Sequence, residues 1–321
     1  MTDTKPQKRV HQPPRGGRLG DRAFGGLLGL LGTSVLLVVG AIIFVCFRLA
    51  RPAFAKIDLV AFLTGSNWDP VQDSFGALPF IYGTLVTSFI AISIAAPVSI
   101  GIALFVTEMA PVGIRRVTTF LVEILAAIPS VVYGLWGLMV LIPILQTKVE
   151  PALGRLLGFV PIFSGPPMGF GYLAAGLILS IMILPTITSV IIEVLRTMPA
   201  LLREGALALG ATRWEGIRMV VLPYAKRGIL GGIILGLARA LGETMAVTMV
   251  IGNQPEIHAS LFSAGYSLPA VIANEFSEAT GDVHVGALAG LALVLFAVTF
   301  LLSAGARLLV RMSSRSLRVK A

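Results

Sequence analysis

The chain consists of long apolar segments separated by shorter polar ones. An α-helix needs ~20 residues to cross a hydrocarbon core of ~30 Å, and several of these segments reach or exceed that length. The predicted spans are residues 24–47, 79–107, 118–146, 172–195, 228–250 and 285–309. The pattern therefore predicts an all-α, polytopic membrane protein with six transmembrane helices.

Composition agrees with a membrane protein, since 56% of the residues are hydrophobic, 13% are charged and the mean hydropathy is +0.90. The first apolar segment is longer than the ~7–15 residues of a signal-peptide core, so residues 24–78 are interpreted as a transmembrane helix and an outer loop. Residues 1–23 are polar and basic, and we expect a disordered cytoplasmic tail there. Pro97, Pro129 and Pro185 fall inside predicted spans, where a membrane helix can kink without ending.

Basic residues are concentrated in every second polar segment. Nineteen Lys and Arg residues lie in the two terminal segments and in residues 108–117 and 196–227, whereas five lie in the intervening loops. The positive-inside rule then places both termini and residues 196–227 in the cytoplasm. This distribution accounts for the formal net charge of +9, so the basicity gives no reason to expect a nucleic-acid partner.

Arg239 and Glu243 lie deep inside a predicted span, ~17 Å and ~23 Å from its start at Gly228. Each such charge costs roughly 2.5–3.5 kcal/mol on insertion scales unless it is paired or faces a polar pathway. A spacing of four places both side chains on one face of the predicted helix. Two interpretations stay open. One is an internal salt bridge that fixes the orientation of the helix. The other is an anion site in which Arg239 binds an oxyanion and Glu243 balances the charge of the empty site.

Residues 199–219 belong to a cytoplasmic segment, begin with Pro199 and carry apolar side chains at mostly three- and four-residue intervals. This spacing predicts a short amphipathic helix. Gly210 falls near its middle, where glycine costs about 1 kcal/mol relative to alanine, and close approach by another surface would explain the glycine. A linker that rests on the membrane surface is the alternative.

The same stretch resembles the signature of bacterial ABC importer permeases, which reads Glu-Ala-Ala, three residues, Gly, nine residues, Ile, one residue and Leu-Pro. The matching residues are Glu204, Ala206, Gly210, Leu222 and Pro223, whereas Gly205 and Val220 depart from the pattern. The resemblance implies a type I ABC importer permease fold in which this helix docks on a separate ATPase subunit. It also implies that the five matching residues couple the two subunits.

Further segments resemble the C-type permease subunits of phosphate-specific ABC importers, namely residues 66–70, 78–84, 128–134 and 238–253. The resemblance implies translocation of inorganic phosphate across a bacterial plasma membrane, with Arg239, Glu243 and Thr244 binding the substrate. Besides lipid, it implies as partners a second related permease subunit, a cytoplasmic ATPase dimer and an extracytoplasmic phosphate-binding protein. The expected permease domain is residues 79–309, followed by a basic cytoplasmic tail at residues 310–321.

We expect no cofactor or metal in this chain and no enzymatic activity of its own. The dipeptide Gly-Lys is absent from the sequence, which excludes a P-loop, so ATP and Mg²⁺ would be used by the partner ATPase. Cys46 is the single cysteine, and the three histidines share no ligand spacing. Two alternatives stay open. One is a molybdate or sulfate permease, because the resemblance over residues 238–243 extends to those proteins. The other is a proton-coupled secondary anion transporter, which would need no ATPase.

Overall fold

The computed structural model describes residues 17–318 of the chain, and these residues are mostly helical. The α-helices are α1 Gly17–Lys56, α2 Leu59–Thr64, α3 Leu78–Leu104, α4 Val112–Ala127, α5 Ser130–Trp136, α6 Ile142–Ile144, α7 Glu150–Leu157, α8 Tyr172–Arg196, α9 Ala200–Ala208, α10 Arg213–Gly216, α11 Leu222–Leu241, α12 Met245–Val250, α13 Leu268–Glu275 and α14 Asp282–Arg318. The π-helical turns are Phe105–Met109, Gly137–Leu141, Leu145–Val149 and Ile217–Val221, and Pro161–Phe163 is a 3₁₀ turn. Strands β1 Trp68–Asp69 and β2 Ser74–Phe75 pair antiparallel.

Among residues 17–318, six helical segments are long and apolar enough to cross a membrane. They are Ala23–Lys56, Leu78–Met109, Ser130–Leu157, Tyr172–Arg196, Arg213–Leu241 and Asp282–Leu308. The π-helical turns extend α3, join α5 to α7 and join α10 to α11, so each of these spans is continuous. The prediction of an all-α protein with six membrane-spanning helices is therefore confirmed.

The third span does not lie where the sequence pattern placed it. The predicted helix at residues 118–146 is divided at Pro129, which separates α4 from α5. Ile128 has φ −67° and ψ 127°, outside the helical region, because the proline ring clashes with a helical residue in front of it. The span is therefore Ser130–Leu157, and α4 is a separate amphipathic helix that packs on α8.

The terminal helices are longer than the apolar pattern predicted. Helix α1 begins at Gly17, so the last part of the predicted disordered tail at residues 1–23 is helical. Helix α14 continues to Arg318, through most of the predicted tail at residues 310–321. An α-helix keeps its own hydrogen bonds outside the hydrocarbon core, so hydropathy marks the membrane boundary rather than the end of the helix. Residues 1–16 and 319–321 lie outside the described residues.

The chain divides into two units after Arg48. In the first unit, α1 carries apolar side chains that are mostly exposed, which is the surface expected of a helix in contact with lipid. The second unit begins at Leu49 and contains the last residues of α1, the other helices, both strands and the candidate site.

Helix α8 is the centre of the second unit, because most of its side chains are buried and both α3 and α11 pack on it. Gly228, Gly232 and Gly236 recur at intervals of four along α11. A Cβ on any of them would press against side chains of α8. Small residues of this kind let membrane helices approach closely, and here they bring the end of α11 against the middle of α8.

Pro97 and Pro185 lie inside α3 and α8, as predicted. A proline in a helix leaves a carbonyl without its usual intrahelical donor, and a neighbouring helix can supply the hydrogen bond instead. Ser99 Oγ of α3 donates to the carbonyl of Leu184 in α8 at 3.1 Å. The carbonyl that Pro185 leaves without a donor is that of Ile181, so this bond is an additional contact between α3 and α8 and not its replacement.

Candidate functional site

The predicted coupling helix at residues 199–219 is divided into two helices at Gly210. Helix α9 ends before this residue, and α10 begins after it and continues into α11. Gly210 has φ +85°, and the N–H groups of Gly210 and Ala211 donate to the carbonyls of Leu207 (3.0 Å) and Ala206 (3.1 Å). This is a Schellman motif, so the prediction of one helix is wrong. Nothing lies within 4 Å of a Cβ built on Gly210, and the left-handed backbone is therefore what requires glycine.

The residues of the importer signature lie on both sides of this turn. Glu204 and Ala206 are on α9, whereas Leu222 and Pro223 begin α11. The Glu204 side chain is exposed, and Leu209 at the turn is 91% exposed. Other exposed apolar side chains of this otherwise polar segment are Leu201, Leu202, Leu207, Trp214 and Met219. Exposed apolar side chains with polar neighbours are typical of a contact surface for a protein or a membrane.

Replacing Gly210 with Ala should destabilise the turn between α9 and α10 by about 1 kcal/mol, because a Cβ is disfavoured at positive φ. Backbone amides in the last turn of α9 should then exchange with solvent about fivefold faster, as measured by hydrogen–deuterium exchange. The matched control is Gly205→Ala, where nothing lies within 4 Å of the added Cβ and alanine is the better helix former. Equal exchange in the two variants would contradict the role assigned to the turn.

Arg239 and Glu243 do not lie on one helix, because α11 ends inside the predicted span at residues 228–250. Gly242, Glu243 and Thr244 form an irregular link to α12, whereas Arg239 belongs to the last turn of α11. The shared helical face that a spacing of four predicted is therefore absent. Among the described side chains, no ion pair joins Arg239 to Glu243, so the salt-bridge interpretation is wrong.

The Arg239 side chain is exposed and has a polar partner on α8. Its Nη1 donates to Thr186 Oγ1 at 3.2 Å. A hydroxyl is neutral, so this contact orients the guanidinium without neutralising its charge. The sequence analysis missed Thr186, although a hydroxyl directly after Pro185 in an apolar span was an available signal.

Glu243 and Thr244 are half-buried at the start of α12. Glu243 Oε1 accepts a hydrogen bond from Ala246 N at 3.5 Å, and Thr244 Oγ1 donates to the carbonyl of Gly242 at 3.4 Å. Hydrogen bonds of this length are weak, so both side chains can take part in further polar contacts. The break after α11 thus places a carboxylate and a hydroxyl a few residues after Arg239, on irregular backbone.

Residues 99–319 match the family described as the inner membrane component of binding-protein-dependent transport systems. The chain belongs to this permease family. A phosphate transport system permease protein PstC of Mesorhizobium japonicum is 46% identical to this permease over 303 residues, which cover 93% of this chain and 92% of the relative. The protein of the same name from Pasteurella multocida is 50% identical over 254 residues, which cover 78% and 79% of the two chains.

The fold of the permease is also found among solved ABC transporters. One chain of a bacterial alginate ABC transporter superposes with a TM-score of 0.59 at 17% identity, and the match covers 91% of the permease and 96% of that chain. At this identity the likeness concerns the fold alone. The permease is thus a multi-pass membrane protein with the fold of an ABC importer permease.

Residues 128–134 of the permease hold α5 against α12. A Cβ on Gly134 would lie 2.7 Å from Met249 Sδ and 3.0 Å from Ala246 Cα, so glycine is required for the contact. Helix α5 therefore packs beside the link that carries Glu243. The sequence identified these residues as a family motif, and the structure gives them a packing role at the candidate site.

Residues 78–84 of the permease attach the segment between α12 and α14 to α3. Thr84 Oγ1 accepts a hydrogen bond from Leu268 N at 2.8 Å, and Tyr82 Oη donates to the carbonyl of His258 at 3.1 Å. Both acceptor and donor groups come from one turn of α3, so the chain between α12 and α14 is fixed at two points on the same helix. This motif supports the segment between α12 and α14 rather than the site at Arg239.

Proposed function

We propose that the permease translocates inorganic phosphate inward across the plasma membrane of a bacterium, with Arg239 as its principal substrate contact. The observation that carries this proposal is the environment of Arg239. Its guanidinium is exposed, is oriented by a neutral hydroxyl at 3.2 Å, and meets no carboxylate among the described residues. A positive charge in a membrane-spanning helix needs a compensating group, and a tetrahedral oxyanion can accept two hydrogen bonds from the guanidinium fork.

Glu243 and Thr244 favour phosphate over sulfate as that oxyanion. Near neutral pH phosphate keeps at least one proton, which a carboxylate can accept in a hydrogen bond, whereas sulfate is fully ionised and would be repelled by Glu243. The Thr244 hydroxyl can donate to either anion and adds no discrimination. The names of the relatives from Mesorhizobium japonicum and Pasteurella multocida point to the same substrate.

The proposed complex contains more than this chain. A second related permease subunit completes the translocation path, an ATPase dimer binds on the cytoplasmic side, and a phosphate-binding protein binds on the outside. The ATPase uses ATP and Mg²⁺, and this chain needs no cofactor. The exposed apolar surface around Leu209 supports an ATPase contact at α9 and α10. The excess of basic residues in the terminal segments and residues 196–227 supports an orientation with both termini in the cytoplasm.

The test is uptake of radiolabelled phosphate by bacterial cells that lack their own phosphate permeases and express this permease with its partner subunits. We expect uptake that unlabelled phosphate abolishes and that an equal excess of sulfate or molybdate leaves unchanged. Competition by either of those anions would instead indicate a permease for another oxyanion.

The same cells separate an ATP-driven importer from a proton-coupled transporter. Uptake should stop when the ATPase subunit carries an inactivating substitution, and the ATPase should co-purify with the permease. Uptake that continues with the inactive ATPase and stops when a protonophore is added would contradict both the energy source and the ATPase contact proposed at α9.

A further inference from the structure

Helix α9 is attached to the rest of the chain by few buried groups. None of its residues is buried, and it packs on α10 and the π-helical turn Ile217–Val221, which follow it directly in the sequence. A cavity of about 310 Å³ separates it from the cytoplasmic end of α3 and is lined by Thr107, Glu108, Arg203, Leu207, Arg213 and Gly216. Apolar burial therefore contributes little to the position of α9, and a specific contact must hold it.

That contact is an ion pair across one side of the cavity. Arg203 Nη2 of α9 lies 2.9 Å from Glu108 Oε1, in the π-helical turn that ends the second span. The same nitrogen donates to the carbonyl of Leu195 in the last turn of α8 at 2.9 Å. The side chains of Arg203 and Glu108 are 30% and 11% exposed, so solvent weakens this pair less than it weakens a surface pair. One guanidinium thus joins α9 to the ends of both α3 and α8.

The turn that receives this contact is itself held in place. Arg115 of α4 donates from Nε to the carbonyl of Val106 at 2.9 Å, which fixes the backbone of the Phe105–Met109 turn. A displacement of Arg203 would therefore move the end of the second span rather than a loose loop.

Helix α8 continues from this contact to the candidate anion site. Thr186, the partner of Arg239, lies on the same helix as Leu195 and ~14 Å from it along the axis at 1.5 Å per residue. A packed helix transmits movement along its length because its core contacts change together. A shift of α9 is thereby connected to the hydroxyl that orients the substrate-binding guanidinium.

We propose that the ion pair between Arg203 and Glu108 transmits movement of α9 to α3 and α8, and so links ATP hydrolysis in the partner subunit to phosphate movement at Arg239. This inference rests on the proposed function, because it requires an ATPase at α9 and an anion at Arg239. Arg203 and Glu108 are positioning residues, since neither touches the substrate. The linkage fails when the pair is broken, even if the ATPase stays bound.

The experiment uses the complete transporter in lipid vesicles and measures phosphate uptake and ATP hydrolysis in the same preparation. In Arg203→Gln and in Glu108→Gln, we expect phosphate transported per ATP hydrolysed to fall about tenfold or more, because each variant leaves a poorly solvated charge without its partner. The double variant should lose no more than the worse single variant, since the two residues act as one unit. The amount of ATPase that co-purifies should not change.

The matched control is Arg196→Gln, which breaks another Arg–Glu pair on the same side of the protein. Arg196 Nη1 lies 3.0 Å from Glu193 Oε1, the side chains are 49% and 70% exposed, and both residues belong to α8. This pair joins no second element, so its loss should leave the ratio of transport to hydrolysis unchanged.

Several results would overturn the inference. One is an unchanged ratio of phosphate transported to ATP hydrolysed in both single variants. Another is an equal fall of this ratio in Arg196→Gln. The third is a double variant in which the losses of the two single variants multiply. If Arg203→Gln fails to assemble, Glu108→Gln decides the question, because it keeps the hydrogen bond from Arg203 to Leu195. A wild-type transporter that moves no phosphate would instead refute the proposed function, which is a distinguishable result.

Discussion

Replacing Arg239 with Gln is expected to lower phosphate uptake at least about 30-fold, equivalent to ~2 kcal/mol, while the protein still reaches the membrane. The variant loses the fixed charge that compensates the anion for leaving water, and the shorter amide cannot reproduce the guanidinium fork. Arg239→Lys should recover only part of the uptake, because an ammonium keeps the charge and lacks the fork. The measurement is radiolabelled phosphate uptake in cells without native permeases, normalised to the membrane level of each variant.

A second cation on the same helix serves as the control. Arg227 lies near the start of α11 and is exposed, so Arg227→Gln removes a charge from the helix without approaching the proposed site. Its uptake should stay within about twofold of the wild type, as for most surface substitutions. Equal losses in Arg227→Gln and Arg239→Gln would show that the net charge of α11, and not a substrate contact, is what matters.

The combination with Glu243→Gln separates the two roles considered for Arg239 and Glu243. A structural salt bridge predicts that the double variant, which neutralises both residues, regains function. In the structure Arg239 contacts Thr186 and Glu243 contacts the backbone of α12, so neutralising one does not relieve the other. We expect the double variant to transport as poorly as Arg239→Gln. Restored uptake would refute the substrate contact.

Replacing Gly83 with Val is expected to prevent the permease from reaching its folded state in normal amounts. A Cβ on Gly83 would collide with the carbonyl oxygen of Tyr266, a backbone atom that no rotamer change can move away. Separating α3 from the segment between α12 and α14 would also break the hydrogen bond from Leu268 N to Thr84 Oγ1. The combined cost is about 3 kcal/mol or more, at the upper end for overpacked cores.

The effect of Gly83→Val is measured as the amount and the thermal stability of the detergent-purified chain. Both are determined by fluorescence-detected size-exclusion chromatography. Gly101→Val is the control, because Gly101 lies in the same helix and nothing within 4 Å would meet its added Cβ. That variant should behave like the wild type. Equal stability of both variants would mean that α3 does not hold the segment between α12 and α14 as described.

The number and approximate position of the spans were predictable because the bilayer imposes a minimum apolar length on any helix that crosses it. The apolar segment around them also marked Arg239 and Glu243, since a charge in such a segment is costly unless it is paired or faces a polar pathway. The family motifs at residues 78–84 and 128–134 were visible in the sequence, but their packing roles were not.

Predictions from residue type alone failed where the same residue type occurs in two structural settings. Pro185 lies inside a continuous helix with a hydroxyl from α3 beside it, whereas Pro129 separates two helices. Hydropathy cannot distinguish these cases, because both prolines lie in apolar segments. Gly210 is similar: the sequence suggested a close approach, and the structure uses glycine for a left-handed turn.

The sequence by itself determined the number of membrane-spanning helices and marked Arg239 and Glu243 as charges in an apolar segment, because both follow from the free energy of moving each residue out of water. Tertiary structure decided where those charges lie and what they contact. The break after α11 separates Glu243 from Arg239, and glycine-mediated packing of α11 on α8 brings Thr186 to the guanidinium. Arg203 and Glu108 meet for the same reason, since residues far apart in the chain become neighbours only when the helices pack.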